Sequence, residues 1–284
     1  MNNLKFEIKK SVINIYFITI CGLAVILSLI YTFDEISIYL DYSKNVNFNE
    51  VLSQNTLAPT ISAYTMWIGG PKLEDIQSCK AFFKTILIFA PIPFAWSYCK
   101  EKRYAKKNNQ KFNPDIKYRL IKYLAVFISS GLIAAIPLLV NFICSLLFIP
   151  IVTPEPVYDI YYRIFAGSLF GNVFYSHPMI YDLLYIFIFF VFCGLLGCVG
   201  YAFSLIIKHE IVAIATPAIL LLITCYLNNK IHFGFDMFSP IGYMNVADVM
   251  LRNYKTLFIE MFIMFSVSIF IVIMMRSRKK QTDQ

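Results

Sequence analysis

Long runs without charge alternate along this chain with short polar intervals, and the runs have the length of helices rather than of strands. Six of them reach or approach the roughly 20 residues that carry an α-helix through about 30 Å of hydrocarbon at 1.5 Å per residue. They lie at about 13–33, 81–99, 122–149, 183–207, 211–227 and 257–275. The pattern predicts an all-α polytopic membrane protein, one transmembrane domain over residues 1–284 with six helices. Lys9 and Lys10 precede the first run as a signal peptide's charged start would. A signal core, however, is only about 7–15 residues long and closes on a small-residue cleavage site. The run from Ile13 to Phe33 is longer and ends Tyr31-Thr32-Phe33, so it is expected to stay in the mature chain.

Runs four and five are separated only by Lys208-His209-Glu210. Fused into one helix of about 45 residues they would overshoot a bilayer even when tilted, so a tight helical hairpin is predicted. Pro217 stands in the shortest run, where neighbouring helices can satisfy the carbonyl it frees. Pro91 and Pro93 fall near the end of the second run and are expected to bend that helix.

Composition agrees with the pattern and charge orients it. Hydrophobic residues make up 58% of the chain and charged ones 15%, against about a quarter charged in an average soluble protein. The net charge of +8 is unevenly spread. With both termini inside, 17 Lys and Arg fall on the inner side and seven on the outer, while carboxylates divide five inside and eleven outside. The positive-inside rule therefore predicts an N-in, C-in topology, and the basic excess reads as an orientation signal rather than attraction to nucleic acid. Outer loops are expected at 34–80, 150–182 and 228–256, and one sizeable inner loop at 100–121. Lys84 and Glu260 lie near outer helix ends, from which they can snorkel.

The chain's own chemistry looks sparse. His177 and His232 fall in outer loops and His209 in the inner turn, which argues against a Ser/His dyad or a Glu/His metal site inside the bundle. Zinc sites want Cys or His at short spacings, whereas six of the seven Cys fall in or at the ends of spans and Cys79 is a lone outer thiol. No G-x-x-x-x-G-K-[ST] loop is present to cradle a nucleotide phosphate, and about 22 residues of inner loop are too few for an ATPase domain. No enzymatic site and no cofactor are expected in this chain. Ser129-Ser130-Gly131 in the third run reads as small-residue helix packing.

Three segments stand out. The inner loop carries Lys100-Glu101-Lys102-Arg103-Tyr104-Ala105-Lys106-Lys107 and then Asn113-Pro114-Asp115, a turn or helix-start signal. It reads as a docking surface for a cytoplasmic partner, or as topogenic charge that also attracts anionic lipid. At the N-terminus, Leu4, Phe6, Ile8, Val12 and Ile13 interleave with charged residues, predicting a short interfacial helix or a frayed lead-in. Tyr161 to Pro178 and His232 to Leu251 are too apolar for solvated loops and too broken to span. The second is expected as a re-entrant segment between helices five and six, acting as a lid or as a gate.

The layout and local sequence together resemble the permease subunits of ABC-2 type transporters, the membrane-spanning half of bacterial ABC exporters. Phe89-Ala90-Pro91-Ile92-Pro93-Phe94-Ala95-Trp96-Ser97-Tyr98-Cys99-Lys100-Glu101-Lys102-Arg103 is similar to the end of their second helix running into a coupling segment. Asp115-Ile116-Lys117-Tyr118-Arg119-Leu120-Ile121-Lys122-Tyr123 resembles their entry to helix three, and Ser176-His177-Pro178-Met179-Ile180-Tyr181 is similar to permeases of this group from Firmicutes. Where the family carries Gly or Thr after the Glu-Lys-Arg pattern, Tyr104-Ala105 stands here.

The resemblance implies a multi-pass protein of the bacterial plasma membrane. It would pair with a second copy or a related permease and with two copies of a separate ATPase, which binds the ATP and Mg. Glu101, Lys102 and Arg103 would lie in the coupling helix that touches the ATPase, and Lys208, His209 and Glu210 would form a second contact. Pro91, Pro93 and Pro217 would allow the second and fifth helices along the translocation path to shift. An aromatic and aliphatic lining without buried charge points to amphiphilic cargo such as an antimicrobial peptide, a drug or a lipid-like molecule. The alternative is a membrane scaffold or immunity protein that binds a peptide without transporting it.

Overall fold

A computed structural model describes residues 2–45, 61–70, 77–110, 114–162, 164–165, 168–207, 209–231 and 254–275. All regular structure among them is helical. The chain opens with α1 (Asn2–Val12), breaks at Ile13-Asn14, and continues as α2 (Ile15–Asn45). The expected interfacial segment is therefore a helix. The break is capped from within: Asn14 Oδ1 accepts from the Phe17 N–H at 2.8 Å, the N-cap bond that starts a new helix.

Among the described residues, four helices are long and apolar enough to cross a membrane: Ile15–Asp41 within α2, α6 (Ile116–Phe148), α9 (Pro178–Ile206) and Leu257–Met274 within α11 (Tyr254–Met274). They coincide with the first, third, fourth and sixth expected spans. α10 (Glu210–Ile231) covers the fifth, with a shorter apolar part, Glu210–Thr224, containing Pro217. The hairpin expected there is present, since α9 ends at Ile206 and α10 starts at Glu210.

The second expected span, 81–99, is not one helix. α4 (Gln77–Phe89) ends where Pro91 and Pro93 remove two backbone donors. Residues 90–96 run as hydrogen-bonded turns, including Ala95 N to Pro91 O at 3.2 Å, before α5 (Ser97–Lys107) begins. The two prolines interrupt the helix where a bend was expected.

Two further boundaries differ. α2 runs twelve residues past Phe33, so Asp34 and Glu35 are helical rather than in the outer loop, and Glu35 is buried. α9 begins at Pro178, which puts Asp182 inside the helix and fully buried rather than in the outer loop. The remainder of the outer stretch after α6 forms a short 3-10 turn (Pro156–Tyr158), α7 (Asp159–Tyr162) and α8 (Gly171–Ser176). These pack Tyr162 and Phe174 edge to face at 5.9 Å against the core. The re-entrant segment expected from His232 to Leu251 lies outside the described residues.

α6 and α9 form the spine of the bundle, and α2, α1, α10 and α11 pack around them. The spine closes through small residues. A Cβ on Gly131 of α6 would stand 2.6 Å from the Phe190 carbonyl oxygen of α9, and one on Gly194 of α9 2.9 Å from the Phe127 carbonyl oxygen of α6. Ser129-Ser130-Gly131 thus lies at a helix-helix approach, as its small side chains predicted. Gly131→Leu is expected to force the two helices apart and cost about 1–3 kcal/mol, read as a lower melting temperature in detergent, with Leu132→Met as an unaffected control.

The outward faces keep Ile26, Ile30 and Phe33 of α2 and Phe258, Phe262 and Phe270 of α11 exposed. Large apolar side chains exposed along two helices belong against hydrocarbon rather than water. Together with four long apolar helices they are compatible with a multi-pass membrane protein.

Candidate functional site

The segments expected on the inner side converge at one end of the bundle, here termed the basic pole. The C-terminal end of α1, all of α5, the start of α6, the α9–α10 turn and the end of α11 meet there through named side chains. Cys99 Sγ of α5 lies 3.1 Å from the Ser204 carbonyl and 3.2 Å from the Ile207 carbonyl, docking α5 on the end of α9. Arg119 of α6, buried, donates to the Val272 carbonyl of α11 at 3.1 Å.

α5 has two faces. Ser97, Tyr98, Cys99 and Ala105 are buried, while Lys100, Lys102, Arg103, Tyr104, Lys106 and Lys107 are exposed. Lys106 and Lys107 stand in the last turn, where cations complement the helix dipole. The helix ends through Asn109, whose φ of 51° is the left-handed conformation that Asn tolerates better than most residues.

The residues expected to form the coupling helix divide between these faces. Glu101 turns inward. Its Oε1 accepts from Lys10 Nζ of α1 at 2.9 Å, its Oε2 accepts from the Tyr118 hydroxyl of α6 at 2.8 Å, and the same oxygen pairs with the fully buried Lys122 ammonium. Burial pushes the Glu101 carboxyl up, but Lys122, Lys10 and Tyr118 outweigh it and hold the group below its ordinary value. Burial likewise works against the Lys10 ammonium, and Glu101 outweighs it to hold Lys10 above its ordinary value.

Lys102 and Arg103 point outward, and the Arg103 guanidinium pairs with Glu210 at the start of α10 at 3.3 Å. Two expected contact segments, 101–103 and 208–210, are thereby joined into one surface. His209 is exposed on it, and Lys208 lies outside the described residues.

The turns that hold Pro91 and Pro93 also approach α10, which holds Pro217. Pro91 and Pro93 are buried in the turns between α4 and α5, and Pro217 is buried in α10. Gly200 of α9 lies against both segments: a Cβ there would stand 3.2 Å from Ala95, from Pro217 and from the Ala213 carbonyl oxygen. The interrupted second segment and α10 therefore pass the same small-residue notch of α9.

Local reasoning missed two features. Lys10 and Lys122 read as surface charge, yet they and Tyr118 are the partners of Glu101. The available signal was the spacing of Tyr118 and Lys122, four residues apart and hence on one helix face. At the opposite pole, residues 61–70 fold inward as a plug built on α3 (Ala63–Met66), which Ser62 caps by accepting from the Tyr64 N–H. Trp67, fully buried, donates to Asp182 at 3.1 Å. Asn141 accepts from the Ile68 N–H at 2.8 Å and donates to Thr32 at 2.6 Å. Cys79, expected as a lone outer thiol, is buried against this plug with its sulfur 3.4 Å from the Ile68 carbonyl. The interior expected to lack charge thus holds Glu35, Arg119, Lys122 and Asp182.

Among the described residues no group of three or more His, Cys, Asp or Glu side chains converges into a metal-binding set. Apolar clefts run between the helices instead. One of about 740 Å³ lies between α6, α9 and α11 and includes Phe127, Leu195 and Phe262. Another of about 420 Å³ lies between α9, α10 and α11 and includes Phe203, Pro217 and Glu260. No protein-family model, no curated protein and no solved structure matches this chain.

Proposed function

We propose that the chain is the membrane-spanning subunit of an ATP-driven ABC-2 type transporter, one that exports an amphiphile such as an antimicrobial peptide, a drug or a lipid-like molecule. In this reading it crosses the bacterial plasma membrane six times with both termini inside. The second crossing is made by α4, the proline turns and the first turn of α5 together, and the fifth by α10. It pairs with a second permease copy and with two copies of a separate ATPase that carries the ATP and Mg.

The observation that carries the reading is the exposed basic face of α5, tied through Arg103 and Glu210 to the α9–α10 turn. A short rigid helix held against the bundle by Cys99 and Glu101 can transmit a push from a motor to α1, α6 and α9 at once. Lys102, Arg103, His209 and Glu210 form the contact, whereas Glu101 fastens the helix from behind. The apolar clefts between α6, α9, α10 and α11 suit cargo with a large nonpolar surface.

The test is co-purification of the tagged chain from membranes containing a Walker-motif ATPase encoded beside it. The expected result is a complex with two ATPase copies, and Lys102→Glu combined with Arg103→Glu is expected to lower ATPase retention at least tenfold without lowering the melting temperature of the free chain. Complete absence of an associated ATPase overturns the reading. Protection of cells from a peptide that persists with a catalytically dead ATPase would also overturn it, in favour of a binding scaffold.

A further inference from the structure

We propose that the cleft between the start of α2 and residues 93–110 is a binding site for an anionic phospholipid, with the phosphate held by Lys10 and Lys100 and the acyl region lying along Ile15 and Tyr16. The cleft measures about 510 Å³ and combines an aromatic floor, Tyr16, Phe94 and Trp96, with the two lysines. Tyr16 and Trp96 meet edge to face at 5.1 Å, and the Trp96 Nε1–H is already engaged by the Ile92 carbonyl at 2.7 Å, so the ring is fixed in place.

The charge in and behind the cleft is unbalanced. Three ammoniums, from Lys10, Lys100 and Lys122, face two carboxylates, Glu101 and the buried Glu7 of α1. Glu101 is shared between Lys10 and the buried Lys122, and Lys10 keeps 45% of its side chain exposed. Lys100 makes no ion pair among the described residues and rests with its Nζ 5.0 Å from the centre of the Trp96 ring. One positive charge, that of Lys100, therefore awaits an anion, with the half-exposed Lys10 beside it.

The position of the cleft selects a lipid over a soluble anion. Ile15 is 68% exposed and Tyr16 46% exposed, and both begin the helical stretch Ile15–Asp41 that is long and apolar enough to cross a membrane. Tyr, Trp and Lys at the start of such a stretch occupy the depth of the headgroups, where rings sit among glycerol and carbonyl groups and ammoniums reach the phosphates. A lipid entering from the bilayer can place its phosphate between Lys10 and Lys100 without leaving the leaflet. The inference requires that the chain be embedded in a bilayer, and it is independent of any ATPase.

The experiment is native mass spectrometry of the delipidated full-length chain in detergent, titrated with phosphatidylglycerol or phosphatidylcholine. Preferential retention of one phosphatidylglycerol is expected. Lys100→Gln, and separately Lys10→Gln, should each weaken it about fivefold. Lys117→Gln, which removes an exposed lysine of α6 outside the cleft, should leave it unchanged. Equal retention of the two lipids overturns the proposal, as does an equal loss in Lys100→Gln and Lys117→Gln, which would indicate diffuse charge. Displacement of phosphatidylglycerol by millimolar inorganic phosphate overturns it too, because the site would then recognise a free anion.

Discussion

Glu101→Ala lowers the stability of the folded chain by about 3–5 kcal/mol, because it strands the Lys122 ammonium in a site with no exposure. The magnitude comes from the missing partner more than from the lost bond, since a buried charge without compensation retains its full desolvation cost. Lys10 and Tyr118 lose their acceptor in the same step, so α1 and α5 loosen together from α6. Thermal unfolding in detergent measures the effect, and Glu101→Gln combined with Lys122→Met is expected to recover most of it, since neither charge then remains. A variant defective only in docking a partner would show neither the loss nor the recovery. The pH dependence has a defined sign. The folded Glu101 carboxyl sits below its ordinary value of 4.5, so its contribution is fully present above about 4.5 and is lost as pH falls through the folded value.

Trp67→Ala is expected to release the plug at the opposite pole. Trp67 is the largest fully buried side chain described, and truncating a buried aromatic costs about 3–5 kcal/mol. It also removes the indole donor from Asp182, whose other carboxylate oxygen meets no hydrogen-bond partner among the described residues. Trp67→Phe separates the two contributions. It keeps an aromatic ring near Phe142, which Trp67 meets edge to face at 5.5 Å, and loses the donor with only part of the buried volume, for about 1–3 kcal/mol. Release of the plug has its own readout in Cys79. Maleimide labelling of that thiol, taken as the difference between each Trp67 variant and the same variant carrying Cys79→Ser, should rise strongly for Trp67→Ala and slightly for Trp67→Phe. Unchanged labelling with a lowered melting temperature would mean that residues 61–70 stay docked without the indole.

Four of the six expected spans coincide with helices long and apolar enough to cross a membrane, because that property is local: about 20 apolar residues in a row, whatever surrounds them. The break at Lys208-His209-Glu210 and the packing role of Ser129-Ser130-Gly131 were readable for a similar reason. The interruption at Ala90–Trp96 was half legible. Two prolines two positions apart remove alternate donors, and whether the chain bends or unwinds depends on what packs beside it. Here Gly200 of α9 leaves room for Ala95 and Pro217, and the segment unwinds into turns.

Side-chain roles at the two poles were hardly legible at all. Asp182 looked like a loop charge and Lys122 like an inner-side charge at the start of a span, because an isolated charge is costly in an apolar surrounding. That cost is removed by partners distant in sequence, Trp67 for Asp182 at a separation of 115 residues and Glu101 for Lys122 across the α5–α6 connection. Sequence alone determined the long apolar runs, the helical content and the lopsided distribution of Lys and Arg, since each depends on composition within a short window. Tertiary structure alone decided that Glu101 faces inward while Lys102 and Arg103 face out, that Arg103 meets Glu210, and that residues 61–70 fill the far end of the bundle. Those outcomes depend on which helix lies opposite which, and the desolvation of a charge is settled only when its neighbours are in place.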